Sequence, residues 1–215
     1  MGDNTVIIFC AHSDDQIFGV GATIAKYAKE GKEIFTYIFS FGELSHPWLK
    51  RNVSIKMRVK ESFEADKVVG GKGIRFFDLK EGKFVEGAKK IKLQATIQKI
   101  ILEKKPSKIF THSVDDPHPD HNDVHNMVLK ALDRIDYKCD VFTFDIWNWI
   151  AVKDRDSPRL VVDAGQTFQL KIKALRKFKS QWAALFTLLP SVYIRAIYHG
   201  IKNKMTFAEV FRKIR

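Results

Sequence analysis

The chain has 215 residues, 45% of them hydrophobic, which is enough for one domain with an ordinary core. Its formal net charge of +12 raises nucleic acid, an anionic surface or an acidic substrate as partners. The basic residues are spread along the chain, however, without an RNP-like motif, a zinc finger or a Gly-Arg tract, so a solvated basic surface and no nucleic-acid partner are expected.

The first element is a strand, Thr5 to Ala11, within MGDNTVIIFCA; the early Asp3 and missing basic n-region argue against a signal peptide. At its end stands AHSDDQ. Ser13 and Gln16 have capping-box spacing, which predicts Ser13 as N-cap of a helix over Gln16 to Glu30 with Asp14 and Asp15 in its first turn. Gly31 is placed to terminate that helix. A second strand follows from Glu33 to Phe41, then a helix from Arg51 to Val69 and a strand from Ile74 to Phe77. One helix is predicted over Ala88 to Lys104, a strand over Lys108 to His112, and a helix over Asp123 to Ile135. Strands at Val141 to Trp147 and Leu160 to Val162 precede a helical tail from about Thr167.

This alternation predicts a single α/β domain over 1–215, with a mostly parallel sheet covered by helices on both faces. In such sheets ligands collect beyond the carboxyl ends of the strands. No apolar run reaches the roughly 20 residues of a membrane span; the nearest, Trp182 to Ile194, carries Pro190. The stretch WAALFTLLPSVYIRAIYHGIKNK is read first as a packed terminal helix, with a segment resting on a membrane surface as the alternative. Two cysteines, Cys10 and Cys139, form no framework or CxxC site, which fits a cytoplasmic protein, peripheral to a membrane at most. A homo-oligomer is left open.

The strand-exit segments carry the chemistry. A capped helix uses an acid or two in its first turn, but it has no need of His12. At the exit of KIFTH, His118-Pro119-Asp120-His121 places two histidines three apart, flanked by His112 and His125. A His-Asp-His set drawn from two neighbouring strand exits holds one divalent cation and leaves a position open for water, as in a catalytic zinc site.

AHSDDQ and HPDH resemble the paired motifs AHPDDE and HPDH of the PIG-L/LmbE-type deacetylases, Rossmann-like zinc enzymes that remove N-acetyl groups from N-acetylglucosamine-containing molecules. Phe41, Gly42 and Glu43 are similar to the family's acidic second-strand loop, and Arg58, Glu61, Ala65 and Gly70 to its R-x-x-E-x-x-x-A helix. Lys173 with Ser180 and Gln181 resembles its K…SQ helix, and Glu209 with Phe211 its E-x-F. The resemblance implies His12, Asp15 and His121 as ligands of zinc or another divalent ion, and Asp14 as general base. It implies that His118 faces the substrate carbonyl as an imidazolium, with Asp120 orienting that ring. Ser13 replaces the motif's proline and Gln16 its glutamate, so any family role for a carboxylate at 16 is lost.

The remaining residues keep two readings each. Arg58 holds a sugar hydroxyl or phosphate, or is a surface arginine paired with Glu61. Glu43 positions substrate or orients a ligand histidine. His112 is expected to be a packed core histidine, His125 to stand behind the ligands or in solvent, and Asp115 and Asp116 to shape the loop. The aromatic cluster FTFDIWNW reads mostly as core by alternation, with stacking of Trp147 or Trp149 on a sugar ring as the alternative. The implied activity is metal-dependent N-deacetylation of an N-acetylglucosaminide: a glycolipid, a thiol-sugar conjugate or a chitin-derived sugar. A metal-dependent phosphoesterase is the alternative, and a basic nucleic-acid binder with a vestigial site is a weaker one.

Overall fold

The computed structural model describes residues 4–45, 48–147 and 157–215. Among these, one sheet holds β1 (Thr5–Cys10), β2 (Glu33–Ile38), β3 (Gly73–Phe76), β4 (Lys108–His112), β5 (Asp140–Phe144), β6 (Arg159–Asp163) and β7 (Ala208–Lys213). The order is β3-β2-β1-β4-β5-β7-β6. β1 to β5 are mutually parallel, and β7 runs antiparallel between β5 and β6. The α/β architecture with a mostly parallel sheet is therefore present.

β1 is central and wholly buried. Its alternate side chains feed two cores. Val6, Ile8 and Cys10 pack under α1 (Asp15–Lys29), α6 (Phe168–Leu175) and α7 (Trp182–Lys202). Ile7, Phe9 and Ala11 pack under α4 (Leu93–Lys104) and α5 (Pro119–Leu132) on the other face. This period-2 division explains why β1 reads as one apolar run. The remaining helices are α2 (Arg51–Val69) and the short α3 (Phe84–Lys90).

Three expectations are corrected. The helix predicted over Ala88 to Lys104 is two, because Lys92 takes a left-handed conformation (φ 52°) that re-aims α4 so that Leu93, Ile97, Ile100 and Ile101 are buried. The helical tail gives way to β7, whose pairing with β5 and β6 is long-range and invisible to local periodicity. The capping box does not form. Asp14, not Ser13, is the N-cap; the Ser13 hydroxyl has no partner, and the Gln16 side chain donates to the Ser13 carbonyl at 3.3 Å instead of accepting from the Ser13 N–H. Gly31 does end α1 as expected, at φ 81°.

The elements bearing the E-x-F and K…SQ resemblances lock α1 in place. Glu209, on β7, accepts from Thr23 N (2.7 Å), Thr23 Oγ1 (2.6 Å) and Ala22 N (3.3 Å), all on α1. The buried lysine that meets it is Lys171 rather than the exposed Lys173; its Nζ lies 2.7 Å from Glu209 Oε1 and 2.6 Å from the Phe18 carbonyl. Ser180 donates through N and Oγ to Glu61 of α2 (2.8 and 2.6 Å), and Gln181 donates to Ser45 (3.0 Å). α1, which begins at Asp15, is thus tied to β7 through Glu209 and to α6 through Lys171.

Candidate metal centre

The carboxyl ends of β1 and β4 are neighbours, so the turn into α1 and the turn into α5 meet there. One carboxylate oxygen is the focus. Asp15 Oδ2 lies 3.4 Å from His12 Nδ1, 3.2 Å from His112 Nε2 and 3.5 Å from His121 Nε2. Burial opposes ionisation of Asp15, but His121 and His112 outweigh it and hold the carboxyl well below its usual range.

His12, Asp15 and His121 each offer one donor atom, and the three atoms lie within 4.8 Å of one another. Both ring nitrogens of His121 are buried without a hydrogen-bond partner, so Nε2 is free to meet a cation. Behind it, Nδ1 lies 2.9 Å from Asp116 Oδ1, which fixes the ring so that Nε2 faces Asp15. Bonds of about 2.0–2.1 Å at tetrahedral angles separate two ligands by roughly 3.4 Å. The 3.4 and 3.5 Å separations from Asp15 Oδ2 to His12 and His121 match. A divalent cation fits this set.

Two other clusters, His12 with His118 and Asp120, and His112 with Asp116 and His121, also bring donors together. Their carboxylates accept backbone N–H groups, as Asp15 Oδ2 does from His12. Asp116 accepts from Ile146 N (2.8 Å), Trp147 N (3.2 Å) and His118 N (3.1 Å). His112 Nε2 accepts from Ala11 N at 3.0 Å. His112 is therefore more than a packed core histidine. It stacks on His121 at 3.8 Å, and burial with His121 alongside pushes its pKa down to about 4. His125 is buried with Nδ1 2.8 Å from the His112 carbonyl, and Asp115 pairs with Arg212 at 2.9 Å.

Asp120 is the clearest departure in the site. It does not orient His118 through its carboxylate; instead its backbone N–H donates to His118 Nδ1 at 3.2 Å, as α5 begins. The carboxylate turns to His12 Nε2 (3.2 Å) and to the N–H of Gly82 (3.0 Å). The reason is local: His118 is the N-cap of α5, and its ring satisfies the orphan amide two residues on. Burial works against a charge on His12, but Asp120 and Asp15 raise its pKa to about 10. This pocket favours positive charge. His118 moves the other way, lowered by burial and then by His12 and His121.

Asp14 is buried beside this cluster, and Arg58 reaches it with Nη1 3.5 Å from Oδ2. Arg58 is only 2% exposed and donates from Nε to the Phe41 carbonyl (3.1 Å), so it is not the surface arginine that pairs with Glu61. Glu43 is buried, with Oε1 3.0 Å from Arg51 Nε, and touches Ser40 Oγ at 3.4 Å. Sequence reading missed Asp116 as the partner of His121, because three other aspartates lie in the same ten residues. It also missed Glu81 beside His12, raised chiefly by its burial, since KEGK reads as an ordinary turn. Trp147 is 42% exposed at the β5 exit, and Trp149 lies outside the described residues.

The model of the PIG-L family, described as GlcNAc-PI de-N-acetylase, matches residues 7–132, from β1 to the end of α5 and across both halves of this cluster. The chain belongs to that family. A relative from Bacillus anthracis, named as a probable N-acetyl-alpha-D-glucosaminyl L-malate deacetylase 2, is 25% identical over 198 residues, covering 87% of this chain and 86% of its own. Among solved structures, N,N'-diacetylchitobiose deacetylase from Pyrococcus horikoshii superposes with a TM-score of 0.79 at 21% identity, covering 98% of this chain and 84% of that one. The 4-carboxy-2-hydroxymuconate hydratase of Pseudomonas putida KT2440 superposes with a TM-score of 0.84 at 19% identity, covering 99% and 96%. The fold is thus shared with a hydratase, and the chemistry has to be argued from the site.

Proposed function

We propose that the chain is a metal-dependent N-deacetylase acting on an N-acetylglucosamine-containing substrate, with His12, Asp15 and His121 as metal ligands. The observation that carries this reading is the convergence of those three donors, with the orphaned His121 Nε2 facing in and Asp14 alongside. The names borne by the Bacillus anthracis and Pyrococcus horikoshii relatives support the substrate class.

A divalent cation, zinc in the first instance, supplies Lewis acidity to the acetyl carbonyl and acidity to a water. The chain's residues do the rest. Asp14 takes a proton from the attacking water, and the Arg58 guanidinium 3.5 Å away keeps its carboxylate in place. His118, whose Nδ1 accepts from Asp120 N, carries its proton on Nε2 when neutral and so presents an N–H donor to the developing oxyanion. This replaces the imidazolium that the sequence suggested. The departing amine receives the proton that Asp14 has taken, so acetate and a free amine are the products. Asp116 holds His121, and Asp120 holds His12.

A two-metal phosphoesterase needs a second set of free donors about 3.5–4 Å away. Of the two further sets, His112 and Asp116 are engaged with backbone amides at Ala11, Ile146 and His118, and Asp120 with that of Gly82. The test is acetate release from a panel of N-acetylglucosaminides, a lipid-linked one, a thiol conjugate and a chitin disaccharide among them. Turnover on at least one is expected; none on any, with metal bound, refutes the amino-sugar assignment.

A further inference from the structure

We infer that α7 docks this chain onto an anionic lipid surface. No uninterrupted apolar run in the sequence reaches the length of a membrane span, yet the helical segment Lys179–Lys202 is 24 residues long and apolar enough to cross a bilayer. It is packed on the protein, however, along one side only. Leu188, Ser191, Val192, Ala196 and Gly200 are buried against the body, and Arg195 Nη1 donates to the Asp145 carbonyl at 2.7 Å. The opposite side carries Trp182 (71% exposed), Phe186 (80%), Ile194 (56%), Ile197 (43%), Tyr198 (58%) and Ile201 (74%). At 100° per residue these six fall within one half of the helix circumference. A helix held to the body by one face, with an apolar other face bearing Trp and Tyr, lies in an interface rather than across it.

Charge selects the occupant. Between Asp163 and Glu209 the chain has no acidic residue and eight lysines and arginines. Lys179 before the helix, and Lys202 and Lys204 at its end, stand exposed at both ends of the apolar stripe. Self-pairing through this face would set basic ends against basic ends, whereas anionic headgroups complement them. The packed side of the helix also meets the site's edge of the sheet. Gln181 reaches Ser45 beyond β2, and Arg195 reaches Asp145 beyond β5. Docking would hold the mouth of the metal centre at the lipid surface, and it is independent of the chemistry performed there.

The test is co-sedimentation of the full chain with vesicles of phosphatidylcholine, alone or with about 30% phosphatidylglycerol, at about 50 and 500 mM salt. The wild type is expected to pellet with the anionic vesicles at low salt and to be released at high salt. Phe186→Glu/Ile201→Glu is expected to weaken binding more than about tenfold, with its circular dichroism and urea midpoint retained. Lys202→Gln/Lys204→Gln leaves the apolar stripe untouched and is expected to reduce both the binding and its salt dependence. Failure to bind anionic vesicles, or binding unchanged in both variants, overturns the inference. So does a wild-type dimer that Phe186→Glu/Ile201→Glu splits while vesicles take up neither protein. Resistance to a high-salt wash also overturns it, in favour of insertion.

Discussion

Lys171→Met tests how the fold holds the site. Lys171 is 3% exposed and Glu209 6% exposed, so both charges are out of water and each depends on the other. Burial pulls the ammonium pKa down, and Glu209 pulls it back. Removing one partner of a buried pair costs about 3–5 kcal/mol. Here the carboxylate keeps two short bonds on Oε2 and a long one on Oε1. The expected loss is therefore at the low end, about 3 kcal/mol, or a fall of about 1 to 1.5 M in urea midpoint for a slope of about 2–3 kcal/mol per M. The pair Lys171→Met/Glu209→Gln removes both charges and should recover about 2 kcal/mol relative to additive losses. Equilibrium urea unfolding of the four metal-free proteins measures this cycle. A single-variant loss under about 1 kcal/mol, or strict additivity, refutes the claim that this pair ties α6 to β7 beneath α1.

Asp66 yields a pH prediction. Burial raises its pKa to about 7, and its Oδ1 has no partner. A carboxyl raised in the folded state stabilises fully below its unfolded pKa near 4, and that contribution is lost as pH rises toward 7. Asp66→Asn should raise stability by roughly 1–3 kcal/mol at about pH 8 and by little at about pH 4, read from urea midpoints at both; equal effects at the two would contradict the assignment. Asp14→Asn should keep metal and lower turnover about 10²–10⁴-fold, whereas Asp15→Asn should lose metal; the reverse pattern would exchange their roles. His121→Ala should lose metal and His118→Ala should keep it at reduced turnover; metal analysis showing equal loss in both would reject the separation.

Most of the sheet was legible because strand and helix alternate and each strand ends in a polar turn. β7 was not, since Glu209 and Phe211 make sense only against Thr23, Lys171 and the strands beside them. In the site, His12, Asp15 and His121 were legible as residue types at two strand exits. What those exits do to one another was not. Asp120 turns away from His118 because the helix start claims that imidazole, and Asp116 stands out from its neighbours only when its 2.9 Å contact with His121 is seen. Arg58 looked like a surface side chain because α2 has little apolar asymmetry; the loop at Phe41 and the carboxylate of Asp14 draw it in. Such roles depend on long-range contacts, which periodicity and spacing do not encode.

The most direct test of the account is metal content per chain measured together with acetate release from an N-acetylglucosaminide, in the chelated protein and after reconstitution with zinc. One metal per chain, no acetate from the metal-free protein and recovery on reconstitution are predicted. Acetate release by protein shown to be metal-free, or two metals per chain with turnover of a phosphate ester, would contradict it.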